Sequence, residues 1–284
     1  GQPLDRVDGP LKVSGQARYA AEHPADGLLH GSVICSVIPR GRITAIDASA
    51  ALALPGVKLV LSHLNRPPMA QDDESYEDDD AADGSPFRPL FNERIRYSGQ
   101  PVALVVADTL ELARHAGSLV RIDYQQQPHA TDLREALSEA HAAPAELPTP
   151  RGDADAVIAG APLRLELEYE LPCEYHHPME PHASTVIYQA DGSLLVHDKT
   201  QGPQNSQRYL VDVLKLEPGR VRIKSSFVGG AFGSGLRPQY QLPLAAMAAL
   251  KLQQSVRVTL TRQQMFTFGY RPRAVQHLQL GADE

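Results

Sequence analysis

Cysteine is scarce in this 284-residue chain, which holds two, Cys35 and Cys173, far apart and in no CxxC pattern. That excludes an iron–sulfur cluster or a zinc ribbon held by this chain, and the two thiols read as buried apolar groups. Long hydrophobic runs are missing too. No stretch approaches the ~20 apolar residues of a membrane span. Gly1 to Asp8 has no signal-peptide core, so the expectation is a soluble protein, cytoplasmic or periplasmic, with no membrane span. Positive charge is also short. Lys+Arg 27 against Asp+Glu 34 leaves a net charge of -7, which disfavours broad binding to nucleic acid or anionic membranes. There is no internal repeat. What is present is 42% hydrophobic residues, enough for a core without disulfides, in a length suited to about two domains.

The pattern predicts a mixed α/β chain. Leu28 to Ile38, Arg42 to Ala48 and Val57 to Leu61 read as strands, with a short helix from Ser49 to Leu54 capped by Ser49 and ended by Pro55-Gly56. Residues 67 to 88 carry eight acidic side chains among Pro, Gly and Ser and read as a mobile surface loop, with disorder around 70 to 86. The spacing of a calcium-binding EF-hand is absent from it. Pro101 to Val106 is a continuous apolar run fit for a buried strand. Asp108, with Glu111 three residues on, is expected to cap the next helix, whose face is Leu112, Ala113, Ala116, Leu119 and Val120. Arg121 to Tyr124 follows as a strand.

Residues 126 to 160, rich in Ala, Pro and acidic side chains, read as an inter-domain linker between domains over 1–125 and 161–284. Beyond it, Leu163 to Leu171 alternates as a strand. Ser184 to Gln189 and Ser193 to Asp198 flank the hairpin turn Ala190-Asp191-Gly192. Two strand–loop–helix units then follow, one through Thr200-Gln201 into a helix opened by Pro203, the other through a glycine-rich loop into the helix around Leu244 to Leu252. Val256 to Leu260 and His277 to Leu280 are later strands.

Three segments carry chemistry. Gly229-Gly230-Ala231-Phe232-Gly233-Ser234-Gly235 lets backbone approach a ligand and exposes N–H groups to an anion or oxo group. It is neither a Walker loop nor a dinucleotide fingerprint, and taken alone it is a sharp bend. Gln201 sits at a strand's C-terminal end, where open α/β layers place ligand crevices; alone it is a loop or capping glutamine. His176-His177-Pro178-Met179-Glu180-Pro181-His182 invites a metal reading. Its prolines exclude the helical H-E-x-x-H arrangement and no fourth ligand is evident, so hydrogen-bonded structural side chains are the expectation. In extended chain His176, Glu180 and His182 would share one face, with His177 opposed.

The segment Leu4 to Gly15 with Ala17-Arg18-Tyr19-Ala20, then Tyr97-Ser98-Gly99-Gln100-Pro101-Val102-Ala103, resembles the α/β hammerhead domain of the aldehyde oxidase/xanthine dehydrogenase family. Met179-Glu180-Pro181-His182, Thr200-Gln201 and Gly229 to Gly233 are similar to the first part of that family's molybdenum-cofactor-binding domain, in the same order. The resemblance is close to the bacterial periplasmic aldehyde oxidoreductase type. The resemblance implies a molybdenum-pterin cofactor, with Gln201 hydrogen-bonding an oxygen ligand of molybdenum. The backbone of Gly230, Ala231, Phe232 and Gly233 would line the cofactor's apical side, with Phe232 shaping access and no residue ligating the metal directly. It implies hydroxylation with water as the oxygen source and electrons leaving to iron–sulfur and FAD subunits. Purine hydroxylases continue the glycine loop with Lys-Glu; Gly235-Leu236 here points to a small aldehyde as substrate. The catalytic glutamate of the family belongs to a region after Glu284, so no catalytic base is expected in this chain. A second chain or domain is expected to complete the site, and the 284 residues alone are expected to be inactive. A non-catalytic assembly module retaining the fold without cofactor is the competing reading. A metal-binding protein using the histidine cluster is a third.

Overall fold

The computed structural model describes residues 1–72, 87–142, 149 and 151–283. It is mixed α/β, as the pattern predicts. A five-residue α1 (Gly9–Val13) precedes β1 (Leu29–Cys35) and β2 (Gly41–Asp47). Next come α2 (Ser49–Leu52) and β3 (Val57–Ser62), then β4 (Arg94–Ile95), β5 (Pro101–Ala107), α3 (Leu110–Leu119) and β6 (Arg121–Gln126). The stretch expected as a linker contains α4 (Leu133–Ala136) and α5 (Ala154–Gly160). It leads to β7 (Leu163–Leu171), β8 (Glu174–Tyr175), β9 (Ala183–Tyr188) and β10 (Leu194–Asp198). Then follow α6 (Pro203–Leu214), β11 (Val221–Lys224), α7 (Gln241–Leu252), β12 (Val256–Thr259), β13 (Tyr270–Arg271) and β14 (Ala274–Ala282).

Two expected caps are corrected. Thr109, not Asp108, caps α3: its Oγ1 accepts from the Leu112 N–H at 3.1 Å, while Asp108 pairs with Lys58 at 3.1 Å. Ser49 lies inside α2, and Asp47 Oδ1 accepts from both its N–H (2.9 Å) and its Oγ (2.6 Å). At α3 Asp108 and Thr109 compete, and Thr109, whose extended backbone aims its hydroxyl at the free N–H groups, wins; at α2 the N-cap is Ala48, which makes no side-chain cap. Two further expectations change. Cys35 and Cys173 are part-exposed rather than fully buried, although burial still pushes the Cys35 thiol up to about 11. Most of the acidic run, 73–86, lies outside the described residues, but its flanks are anchored. Met69 and Ala70 are buried, the Ala70 N–H donates to the Val213 carbonyl at 2.9 Å, and Arg88 donates to the carbonyls of Ala70 and Asp72.

Residues 1–128 and 176–269 form one compact unit; 129–175 and 270–284 form a second. The first unit is organised by a seven-stranded sheet in the order β11-β10-β9-β12-β1-β5-β3. β5, the continuous apolar run, is buried along its whole length at the sheet's interior. β1 pairs with β5 antiparallel and with β12 parallel, so strands from before and after residues 126–160 share one ladder. Packing groups residues from both sides of 126–160 in one unit. α7 is apolar on every side, and its residues Gln241 to Ala249 are all buried against β9 and β12. Its alanines allow the close approach that a helix sunk in a core requires. α6 buries Tyr209, Leu210, Val213 and Leu214, with Pro203 in its first turn. A smaller sheet, β4-β2-β6, carries its own cluster of Ile38, Ile43, Ile95 and Val102. The second unit holds a β7–β14 ribbon nine residues long, on which Leu163, Leu165, Tyr169, Leu171, Leu278 and Leu280 remain exposed.

The first unit encloses histidines that resist protonation. Burial, then the nearby cations Lys199, His176 and Arg262, push His182 down to about 3. Burial, then His23 stacked on it at 3.5 Å between centroids, then Lys224, push His197 down to about 4. In the unfolded chain both titrate at their ordinary value of about 6.5, so below that pH the unfolded state binds more protons. Their contribution is present above 6.5 and is lost as pH falls from there toward 4. Asp198 opposes this, because burial pushes it up to about 6 and protonation relieves it, but one group offsets only part of two. The urea midpoint is therefore expected to fall between pH 7.5 and 5, and to fall less in His197→Asn. A midpoint flat across that range would count against this assignment.

Candidate functional site

The site is built by a parallel strand pair. β10 and β11 run side by side in register from Leu194↔Val221 to His197↔Lys224, so the loops leaving their C-terminal ends emerge together. The Gln201 N–H donates to the Gly235 carbonyl at 2.8 Å, and Thr200 Oγ1 donates to the same oxygen at 3.0 Å. In return the Gly235 N–H donates to Gln201 Oε1 at 3.3 Å, and Ser225 Oγ donates to the Thr200 carbonyl at 2.8 Å. Thr200 Oγ1 also accepts from the Gly202 N–H at 3.0 Å, which turns the chain into α6. Two loops 34 residues apart are thereby stitched into one surface.

The glycine loop has the backbone its composition requires. Gly230 and Gly233 take φ +87° and +96°. Phe232 takes φ 55°, a strained value for a side chain of this size, and its ring is 76% exposed. The N–H groups of Gly230, Ala231, Phe232 and Gly233 donate to nothing among the described residues. The Gln201 side chain is exposed and only its Oε1 is engaged. A row of unused N–H donors beside a free amide N–H₂ suits an oxygen-rich ligand. All five residues singled out in the sequence, Gln201, Gly230, Ala231, Phe232 and Gly233, lie in these two stitched loops.

The histidine segment is the third wall, and it differs from the extended chain expected. His177 takes φ 45° and rests on the Phe266 ring at 4.8 Å, which breaks the alternation of faces. His176 Nδ1 lies 2.9 Å from the Gly269 carbonyl, and His182 is buried. Among the described residues no three His, Cys, Asp or Glu side chains converge to hold a metal ion. Instead the segment backs the glycine loop. A Cβ at Gly230 would sit 3.7 Å from Pro178 Cβ, and one at Gly233 would sit 3.7 Å from His176 Nε2. Arg262 fixes the segment from below, donating to the carbonyls of Pro178 and Met179.

Sequence reasoning named Glu180 in the histidine segment but missed its contact with the glycine loop. Its N–H donates to the Gly229 carbonyl at 3.0 Å and its Oε2 accepts from the Gly229 N–H at 2.6 Å. Gly229 must be glycine here, because a Cβ would lie 2.7 Å from Glu180 Cβ. The β9–β10 hairpin and the parallel β10–β11 pair together return the chain to this point, so 49 residues of separation hid the contact. A surface pocket of about 200 Å³ lined by Arg88, Arg94, Arg96 and Tyr97, among others, shares no residue with this site.

Residues 14–128 match the family described as aldehyde oxidase and xanthine dehydrogenase, a/b hammerhead domain, and residues 137–284 match the molybdopterin cofactor-binding domain. The chain is similar to the aldehyde oxidoreductase molybdenum-binding subunit PaoC of Escherichia coli K12, 35% identical over all of this chain and 38% of that subunit. It is 30% identical to a xanthine dehydrogenase of Oryza sativa subsp. japonica, over 95% of this chain and 20% of that enzyme. Among solved structures, the aldehyde oxidoreductase of Desulfovibrio gigas superposes with a TM-score of 0.82 at 26% identity, covering 98% of this chain and 32% of that one. The chain thus spans well under half the length of each of these three relatives.

Proposed function

Because this chain belongs to the aldehyde oxidase and xanthine dehydrogenase family and carries its molybdopterin cofactor-binding domain, we propose that it forms one wall of a molybdenum hydroxylase site that oxidises aldehydes. In that reaction each aldehyde takes one oxygen from water and yields a carboxylic acid, two protons and two electrons. The observation that carries the reading is the stitching of Gln201 to the glycine loop beneath a row of unused N–H groups. When bound, the molybdenum–pterin group supplies the redox chemistry and accepts the two electrons.

The chain's own residues bind and orient. The Gln201 amide N–H₂ would donate to an oxygen of the group, and the N–H groups from Gly230 to Gly233 would line it. Phe232, held out in its left-handed backbone, would narrow the approach. Gly235-Leu236 offers no carboxylate to a purine, which favours a small aldehyde; Leu236 is exposed and its carbonyl accepts from Asn205 Nδ2 at 3.2 Å. Electrons would leave to iron–sulfur and FAD partners, and a second chain or domain would complete the site. We further propose the sequence domains 1–125 and 161–284, joined by 126–160. No helix among the described residues is long and apolar enough to cross a membrane.

Molybdenum and pterin analysis of the protein purified from its native source tests the reading, with stoichiometric cofactor as the expected result. Gln201→Ala is expected to lower bound molybdenum about tenfold, as loss of a group that orients a metal site does. Unchanged molybdenum content in that variant would remove Gln201 from the site.

A further inference from the structure

β12 and the chain entering β9 stay together beyond their sheet. Past the ladder pair Thr259↔Ala183, the Leu260 N–H donates to the His182 carbonyl at 2.9 Å. Two residues further on, part-buried Arg262 reaches the histidine segment. Its Nη1 donates to the Pro178 carbonyl and its Nη2 to the Met179 carbonyl, the latter at 2.7 Å. Nη1 also lies 3.8 Å from Sδ of buried Met265, a contact that keeps the guanidinium in place. No carboxylate pairs with Arg262 among the described residues, so its charge is directed at those two oxygens. A planar fork suits two adjacent acceptors, and charged donors make the stronger hydrogen bonds.

Those two carbonyls follow a strained turn. His177 takes φ 45°, a left-handed value that a side chain of its size keeps only where the chain is held on both sides. On one side His176 Nδ1 donates to the Gly269 carbonyl at 2.9 Å. On the other stands Arg262. Pro178 has no N–H, so its carbonyl is the backbone group by which it can be held. Directly after Met179 comes Glu180, whose N–H donates to the Gly229 carbonyl at 3.0 Å and whose Oε2 accepts from the Gly229 N–H at 2.6 Å. The residue that Arg262 grips is thus the immediate neighbour of the residue that grips the glycine loop. Once released, His177 would relax toward ordinary backbone and carry Glu180 off Gly229.

We propose that Arg262 is a positioning residue for the glycine loop: its fork holds Pro178 and Met179, keeps His177 in the left-handed turn, and so presents Glu180 to Gly229. That this ordering serves cofactor retention rests on the function proposed above; the ordering itself does not.

The test is amide hydrogen exchange at Gly229, with the amides of β5 as reference, since β5 pairs with β1 and β3 and not with these residues. In Arg262→Met, Gly229 exchange is expected to rise about tenfold while the β5 amides change by less than about twofold. Arg262→Lys keeps a charged donor for the two oxygens and is expected to stay within about threefold of the parent at Gly229. Arg262→Gln, a neutral donor, should fall between Lys and Met. General loosening of the fold would raise Gly229 and β5 alike and would not be rescued by lysine, so either result overturns the proposal. So does unchanged Gly229 exchange in Arg262→Met. If Arg262→Met does not fold, the other two variants decide: faster Gly229 exchange in Gln than in Lys supports the proposal, and equal exchange overturns it. Molybdenum content of the protein from its native source should fall in the same order. A parent protein that holds no molybdenum but shows the exchange pattern would sink the cofactor reading and leave the positioning of Gly229 standing.

Discussion

Gly31→Val is expected to lower the urea midpoint sharply and to destabilise the chain by about 2–3 kcal/mol, the scale of overpacking in a tight core. Gly31 sits in β1 where that strand meets both neighbours, opposite Val258 of β12 and Val106 of β5. A Cβ there would lie 2.7 Å from Val258 Cγ2 and 3.0 Å from Leu104 Cδ1, with the Arg257 carbonyl at 3.5 Å. Leu104 is fully buried, so it cannot swing aside, and Val258 is locked in its own ladder. A branched side chain must push β1 and β12 apart. The β1–β12 pairing is the joint between the early and late strands of the seven-stranded sheet, so damage should spread to both. An unchanged midpoint in Gly31→Val would mean that this joint is loose.

That joint also marks the limit of what could be read from sequence. β5 was legible because seven consecutive apolar residues have no other place than a sheet interior. The glycine loop and Gln201 were legible because each follows a recognisable strand. The parallel β1–β12 pairing was not, since it links residues more than 220 positions apart and neither strand advertises its partner. The contact of Glu180 with Gly229 escaped for a related reason. The neighbours of Glu180 in sequence are histidines and prolines that invite a metal reading, whereas its partner in space is a backbone N–H, which leaves no mark in any side-chain pattern. Arg262 reads as an ordinary charged residue after a strand; only its hold on two backbone carbonyls distinguishes it. The caps at Ser49 and Asp108 failed on a smaller scale: the first helix starts one residue earlier, at an Ala48 N-cap, and in the second the adjacent Thr109 takes the place of Asp108.

The pure 284-residue chain is expected to show no aldehyde oxidation, and to gain it only when mixed with the polypeptide that supplies the rest of the site. The argument starts from exposure. Phe232 is 76% exposed and Met179 84% exposed, and Gln201 also faces solvent, so a group lying on these loops would keep most of its polar atoms in water. Chemistry that moves charge gains most in a water-excluded site, where donors are worth far more than in bulk solvent. The second step concerns the base. Among the described residues the carboxylate that touches the glycine loop is Glu180, and it is turned inward, with Oε2 committed to the Gly229 N–H and Oε1 buried. It cannot take a proton from a reactant on the open side without releasing the turn. A base must therefore approach from across the loops, and none of this chain's described side chains is placed to do so. The assay is an aromatic aldehyde with an artificial electron acceptor, first with the chain alone and then with the completing polypeptide added. Turnover by the chain alone would overturn the view that these loops are one wall of the site, and turnover that appears only on mixing would establish that the other wall carries the proton chemistry.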